Sequence, residues 1–146
     1  MKRYVREAGS EAVQAWLGRG APATSRLSEV EVASALVRRW REGAFDKRGR
    51  DRALDALRRD FERLSVVEIG PLVTARAVSL LERHAIRAGD ALQLASCMLL
   101  RDSSKSAVTF AAFDDRLNQA ARAEGLGPPA AEIHIRATSD AVHDRR

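Results

Sequence analysis

The 146-residue chain has one cysteine, Cys97, which excludes an internal disulfide, and it offers no cluster of cysteine and histidine with the spacing of a zinc site. No run approaches the roughly 20 apolar residues of a membrane-spanning helix. The opening residues Met1-Lys2-Arg3-Tyr4-Val5-Arg6-Glu7 have no hydrophobic region of the kind that directs secretion, so the expected location is the cytoplasm, with no membrane partner. Internal repeats, low-complexity tracts and a glycine-rich phosphate loop are all missing. The last of these removes nucleotide-binding folds from consideration.

The residues that are present fit a soluble globular chain. Hydrophobic residues make up 45% and charged residues 31%, which rules out a disordered protein. The length suits a single domain, expected over residues 1–137, with a polar tail at 138–146. Net charge is +5, carried mostly by arginine, whose forked guanidinium matches phosphate oxygens and favours polyanionic partners. Much of that charge lies beside acids, as at Arg58 and Arg59 with Asp55, Asp60 and Glu62, and reads equally well as a solvated helix face.

The chain is organised around Arg87-Ala88-Gly89-Asp90-Ala91-Leu92-Gln93-Leu94-Ala95-Ser96-Cys97-Met98-Leu99-Leu100. Past Gly89 it is apolar almost all the way round, the pattern of a helix buried inside a domain. Cys97 falls on it and is expected to be an inert buried thiol. Asp90 stands at its mouth, where a carboxylate needs a helix N-terminus, a cation or a metal to offset its desolvation.

Around this stretch, helical spacing predicts helices over 9–18, 28–41, 47–64, 71–84 and 114–124. Extended pieces are expected at Pro22 to Ser25, at Ser65 to Gly70, at Ala107 to Phe110 and, weakly, at Ile133-His134-Ile135. Short strands alternating with helices imply an α/β fold, a short parallel sheet covered by helices in a three-layer α/β/α arrangement.

Three acids occupy comparable positions. Glu31 lies in the first turn of the second helix among the small residues Ser28, Ser34 and Ala35, Asp90 begins the buried helix, and Asp114 starts the helix after the strand at Ala107 to Phe110. In open α/β sheets the carboxyl ends of strands and the starts of the next helices line one edge, so the three are expected to converge there. Clustered carboxylates suit a hard divalent cation such as Mg²⁺ or Mn²⁺, and metal-activated water attacking a phosphodiester is the chemistry such a cluster serves. A purely structural role remains open for each: Ser28-x-x-Glu31 has the form of a capping box, and Asp90 and Asp114 the form of N-caps. Glu29 and Asp115 project to other sides of their helices and are expected to face solvent.

The strings Thr24-Ser25-Arg26-Leu27-Ser28-Glu29-Val30-Glu31-Val32-Ala33-Ser34-Ala35-Leu36, Arg87-Ala88-Gly89-Asp90-Ala91-Leu92-Gln93-Leu94-Ala95, and Val108-Thr109-Phe110 through Phe113-Asp114-Asp115-Arg116-Leu117 resemble PIN-domain ribonucleases, in particular VapC-like toxins of bacterial toxin–antitoxin pairs. The resemblance implies a PIN-like fold, Mg²⁺- or Mn²⁺-dependent endoribonuclease activity on RNA, a homodimer, and a small VapB-like antitoxin as partner. By position, Glu31, Asp90 and Asp114 match the second, third and fourth acids of that family as catalytic residues and metal ligands. Thr109 is a neighbour able to hydrogen-bond a carboxylate or water. The family opens with a strand carrying a further metal-binding Asp, whereas Met1 to Glu11 resembles the segment just after that strand. The resemblance therefore implies that the N-terminal strand and its acid are missing, and leaves a catalytically inactive PIN-fold module that binds antitoxin or RNA as the alternative.

Overall fold

A computed structural model describes residues 21–128. The helix expected at 9–18, the strand at 133–135, the tail at 138–146 and the expected loss of an N-terminal strand lie outside those residues. Within them the order is β1 (Ala23–Ser25), α1 (Leu27–Arg41), α2 (Lys47–Phe61), β2 (Ser65–Val67), α3 (Pro71–Arg83), α4 (Ala88–Ser103) and α5 (Asp115–Ala123). β1 and β2 pair in parallel, Ala23 opposite Ser65 and Ser25 opposite Val67, with α1 and α2 forming the crossover between them.

Chain chemistry accounts for where these elements start and stop. Asp46 caps α2, its carboxylate accepting from the Gly49 N–H at 2.7 Å. Pro71 opens α3 at a position where its missing N–H costs nothing. α1 and α5 both end in the same closing motif. Gly43 and Gly125 take φ of +78°, a conformation that glycine adopts without a Cβ penalty. The N–H groups of Gly43 and Ala44 then return to the Trp40 and Arg39 carbonyls, just as those of Gly125 and Leu126 return to Arg122 and Ala121.

The apolar helix expected at the centre of the chain is α4, which touches both strands and packs against α1, α3 and α5. Its buried stripe Ala91, Leu94, Ala95 and Met98 keeps helical spacing and meets Val73, Ala77 and Leu80 of α3 and Leu117, Ala120 and Ala121 of α5. Leu126 closes the cluster just beyond α5. Cys97 is half-buried, and burial pushes its thiol up to about 11, consistent with an inert role.

One expected element is not formed as a strand. Residues 107–110 keep the alternation of exposed and half-buried side chains expected of an extended segment, but they have no ladder among the described residues. Their backbone makes one described bond to another segment, from the Phe110 N–H to the Gly127 carbonyl at 3.0 Å. A strand needs a continued partner, and none is found for these residues among the described ones.

This packing has measurable consequences. Leu94 is completely buried at the meeting of three helices, so Leu94→Ala is expected to lower the unfolding free energy by about 2–5 kcal/mol in urea titrations. At the far end of α5, Glu124 receives the Arg83 guanidinium at 2.9 Å and the His84 ring at 2.7 Å, and these partners hold its carboxyl below the usual range. A carboxylate depressed in the folded state contributes stability that is full above its ordinary value of 4.5 and fades as pH falls through the folded value. Urea stability should therefore drop on going from pH 6 to pH 3, with a shallower drop in Glu124→Gln.

Candidate functional site

β1 runs straight into α1, so the end of the strand and the first turns of the helix form one corner, and the start of α4 is packed into it. Ser25, the last strand residue, is 2% exposed, and its hydroxyl accepts from the Leu27 N–H at 3.3 Å. This turns the chain from strand to helix. Arg26 then ties the carboxyl ends of the two strands together: its guanidinium holds Glu68 just past β2 and Glu29 on α1, the latter at 2.8 Å. Both carboxylates push the Arg26 guanidinium further up, and Arg26 in turn pulls Glu68 down. Glu29, expected to face solvent freely, is instead committed to this ion pair.

Glu31 does not form the capping box its spacing suggested. α1 begins at Leu27 without a side-chain cap, and Ser28 and Glu31 turn toward α4. The Gln93 side-chain amide donates to the Ser28 hydroxyl at 2.8 Å and to the Glu31 carboxylate at 3.0 Å. Thr24 of β1 donates to the same Ser28 hydroxyl at 2.8 Å. Glu31 lies directly over Gly89: a Cβ built there would stand 3.0 Å from its Oε1. A larger residue at 89 would push the carboxylate away, which gives the glycine in Ala88-Gly89-Asp90 a steric reason.

Asp90 is half-buried in the first turn of α4. It is not the N-cap, a position taken by Arg87. Asp90 sits three residues in and reaches back to the Arg87 N–H at 3.4 Å, a long contact that leaves carboxylate valence free. The positive end of the helix favours its charge. Gln93 is three residues on from Asp90, on the same helix face, so Glu31 is brought against the turn that carries Asp90.

Asp114 behaves differently. It caps α5 as expected, its carboxylate accepting from the Leu117 N–H at 2.8 Å, and it is exposed. Asp115 faces solvent, and so does Thr109. Among the described residues no group of three or more His, Cys, Asp or Glu side chains is gathered to hold a metal ion. The arrangement on hand is thus a pair of hard oxygen donors, Glu31 and Asp90, on adjoining helices. That donor set fits Mg²⁺, which is commonly held by one or two carboxylates with water and phosphate oxygens completing its shell.

Sequence patterning gave no site role to Gln93 or Thr24, and it read Ser28 as a helix cap rather than as a partner of α4. The available signal was Gln93 itself, an uncharged hydrogen-bonding side chain in a helix otherwise nearly all apolar and one turn from Asp90.

The PIN domain family model matches residues 4–123, and the chain belongs to that family. A search of curated proteins finds no significant relative. Membership establishes the α/β PIN fold; PIN domains are generally nucleases, and those nucleases generally use divalent metal ions. No described helix is long and apolar enough to cross a membrane.

The packing at Gly89 predicts a separable effect. In Gly89→Ala the tight contact of the new methyl is with the end of a flexible, exposed side chain, while Leu27 lies at an ordinary 3.8 Å, so Glu31 yields, and the better helix former keeps or raises stability by up to about 1 kcal/mol. Displacement of the carboxylate should at the same time weaken Mn²⁺ binding several-fold, read by titration of the Mn²⁺ electron paramagnetic resonance signal.

Proposed function

We propose that this PIN domain is a metal-dependent endoribonuclease with Glu31 and Asp90 as the central acids and Asp114 as the third. The observation that carries this reading is the diversion of Ser28 and Glu31 from capping α1 to meeting Gln93 and Gly89 on α4. A carboxylate held by a helix elsewhere in the chain, rather than by its own helix start, is placed for a ligand. Glu31 and Asp90 would hold Mg²⁺ or Mn²⁺, which supplies Lewis acidity toward a phosphodiester and lowers the proton affinity of bound water.

The side chains have distinct tasks in this account. Gln93 fixes one Glu31 oxygen by donating to it and leaves the other toward the open side over Gly89. Asp90 stands in the first turn of α4, and the Arg26 clamp with Glu68 and Glu29 ties the two strand ends together beneath the corner. The resemblance to VapC-like toxins extends the proposal to a cytoplasmic homodimer restrained by a VapB-like antitoxin.

The three acids are not gathered into one cluster among the described residues, which favours a second reading: an inactive PIN-fold module that binds RNA or antitoxin without cutting. The two readings separate in one assay. Single-stranded RNA incubated with the protein and Mn²⁺ is expected to be cleaved. EDTA should stop the reaction, and Asp90→Asn should lower its rate by roughly a hundredfold or more. Cleavage that persists in EDTA would refute the metal role. RNA bound but left intact would establish the inactive module.

A further inference from the structure

The outer face of α1 joins the candidate acids to a pair of exposed arginines. Seven residues on from Glu31, Arg38 returns to within about 20° of the same side of the helix, roughly 10 Å along its axis. Arg41 stands one turn later. Between Glu31 and Arg38 the exposed face of the helix carries Ser34, with half-buried Ala35 beside it, so among the described residues of α1 nothing bulky rises along this path. At its near end Val30, 65% exposed, stands next to Glu31.

Basic residues in a last helical turn complement the helix dipole, and that accounts for a few tenths of a kcal/mol each. It does not account for how the charges around them are engaged. Arg26 is committed to Glu29 and Glu68, and Arg50 to Asp51 and the Trp40 ring, with its guanidinium 4.4 Å from the ring centre. Arg38 and Arg41 are exposed and in no ion pair among the described residues, although the exposed acid Glu42 is close in sequence. Their guanidinium forks are therefore open to an external anion. A ramp of small side chains from a metal-binding carboxylate to two open arginines suits an extended chain of phosphates. It suits a compact ligand poorly.

We propose that Arg38 and Arg41 grip the phosphates of single-stranded RNA a few nucleotides from the bond at Glu31, with the strand lying along the Ser34–Ala35 face of α1. This rests on the ribonuclease reading for its choice of polyanion, and its test is built to stand apart from cleavage. Binding of a 20-residue oligo(U) is measured in EDTA across a range of salt concentrations, so that a protein with no activity still reports.

In the parent protein, affinity should fall with salt, and each phosphate contact contributes roughly 0.7 to the logarithmic slope. The double variant Arg38→Gln/Arg41→Gln, altered only at exposed positions, should lose about 1.4 from that slope, at 0.7 for each arginine, and bind several-fold more weakly. Lys105→Gln serves as the control. It removes a charge beyond the far end of α4, which lies about 20 Å of helix from Asp90, and should leave the slope unchanged. An equal loss in the control, an unchanged slope in the double variant, or a parent that does not bind oligo(U) overturns the proposal. So does a double variant that binds oligo(U) normally but loses affinity for polyglutamate, which would mark the face as one for an acidic protein.

Discussion

The structure depends on the burial of α4. Its stripe of Ala91, Leu94, Ala95 and Met98 is enclosed by α3 and α5, so the helix cannot shift along its axis without opening the core. A helix fixed in this way has a fixed N-terminus. Gly89, Asp90 and Gln93 thus form a rigid platform, and α1 reaches it through Glu31 and Ser28. Flexible acids at the surface would bind a cation weakly. Mounting one of them in the first turn of the most buried helix, and pinning the other to that turn, would reduce the entropy lost on binding the proposed cation.

The charges around this corner are placed with the same effect. Arg26 sits between two strand ends and takes a carboxylate from each side, so the parallel pair, only three residues long on each strand, is held at its carboxyl end by ions as well as by its ladder. Glu124 plays a comparable part at the opposite end, where Arg83, His84 and a bond from Arg101 to its carbonyl gather the ends of α3 and α5 onto α4. Neither cluster gives Glu31 or Asp90 a described ion pair, and the hydrogen bonds at the Glu31–Gly89 corner hold the acids without neutralising them.

Helical periodicity was enough to locate α1 to α5 because each buries a stripe, and the breaks at Gly43, Gly125 and Pro71 marked their ends. It was also enough to see α4 as the centre. The segment at 107–110 differs from expectation among the described residues because alternation of side chains reports which faces are buried, whereas a strand also requires a neighbour for its backbone, and none is described for it. At the site, the positions of Glu31 and Asp90 were legible and their bonding was not. Ser28-x-x-Glu31 satisfies the local rule for a capping box, and only the arrival of Gln93, 62 residues further along from Glu31, diverts both side chains. Local rules describe a helix start in isolation, and tertiary contacts overrode them here.

The central claim is that Glu31 and the first turn of α4 form a cation site. It is tested most directly by adding substoichiometric Mn²⁺ to isotopically labelled protein and tracking the nuclear magnetic resonance signals it broadens. The backbone amides of Gly89 and Asp90 and the side-chain amide of Gln93 are expected to fade first, and Glu31→Gln to protect them. Preferential broadening at Asp51 and Asp55 on α2, or equal broadening across the surface, would contradict the claim.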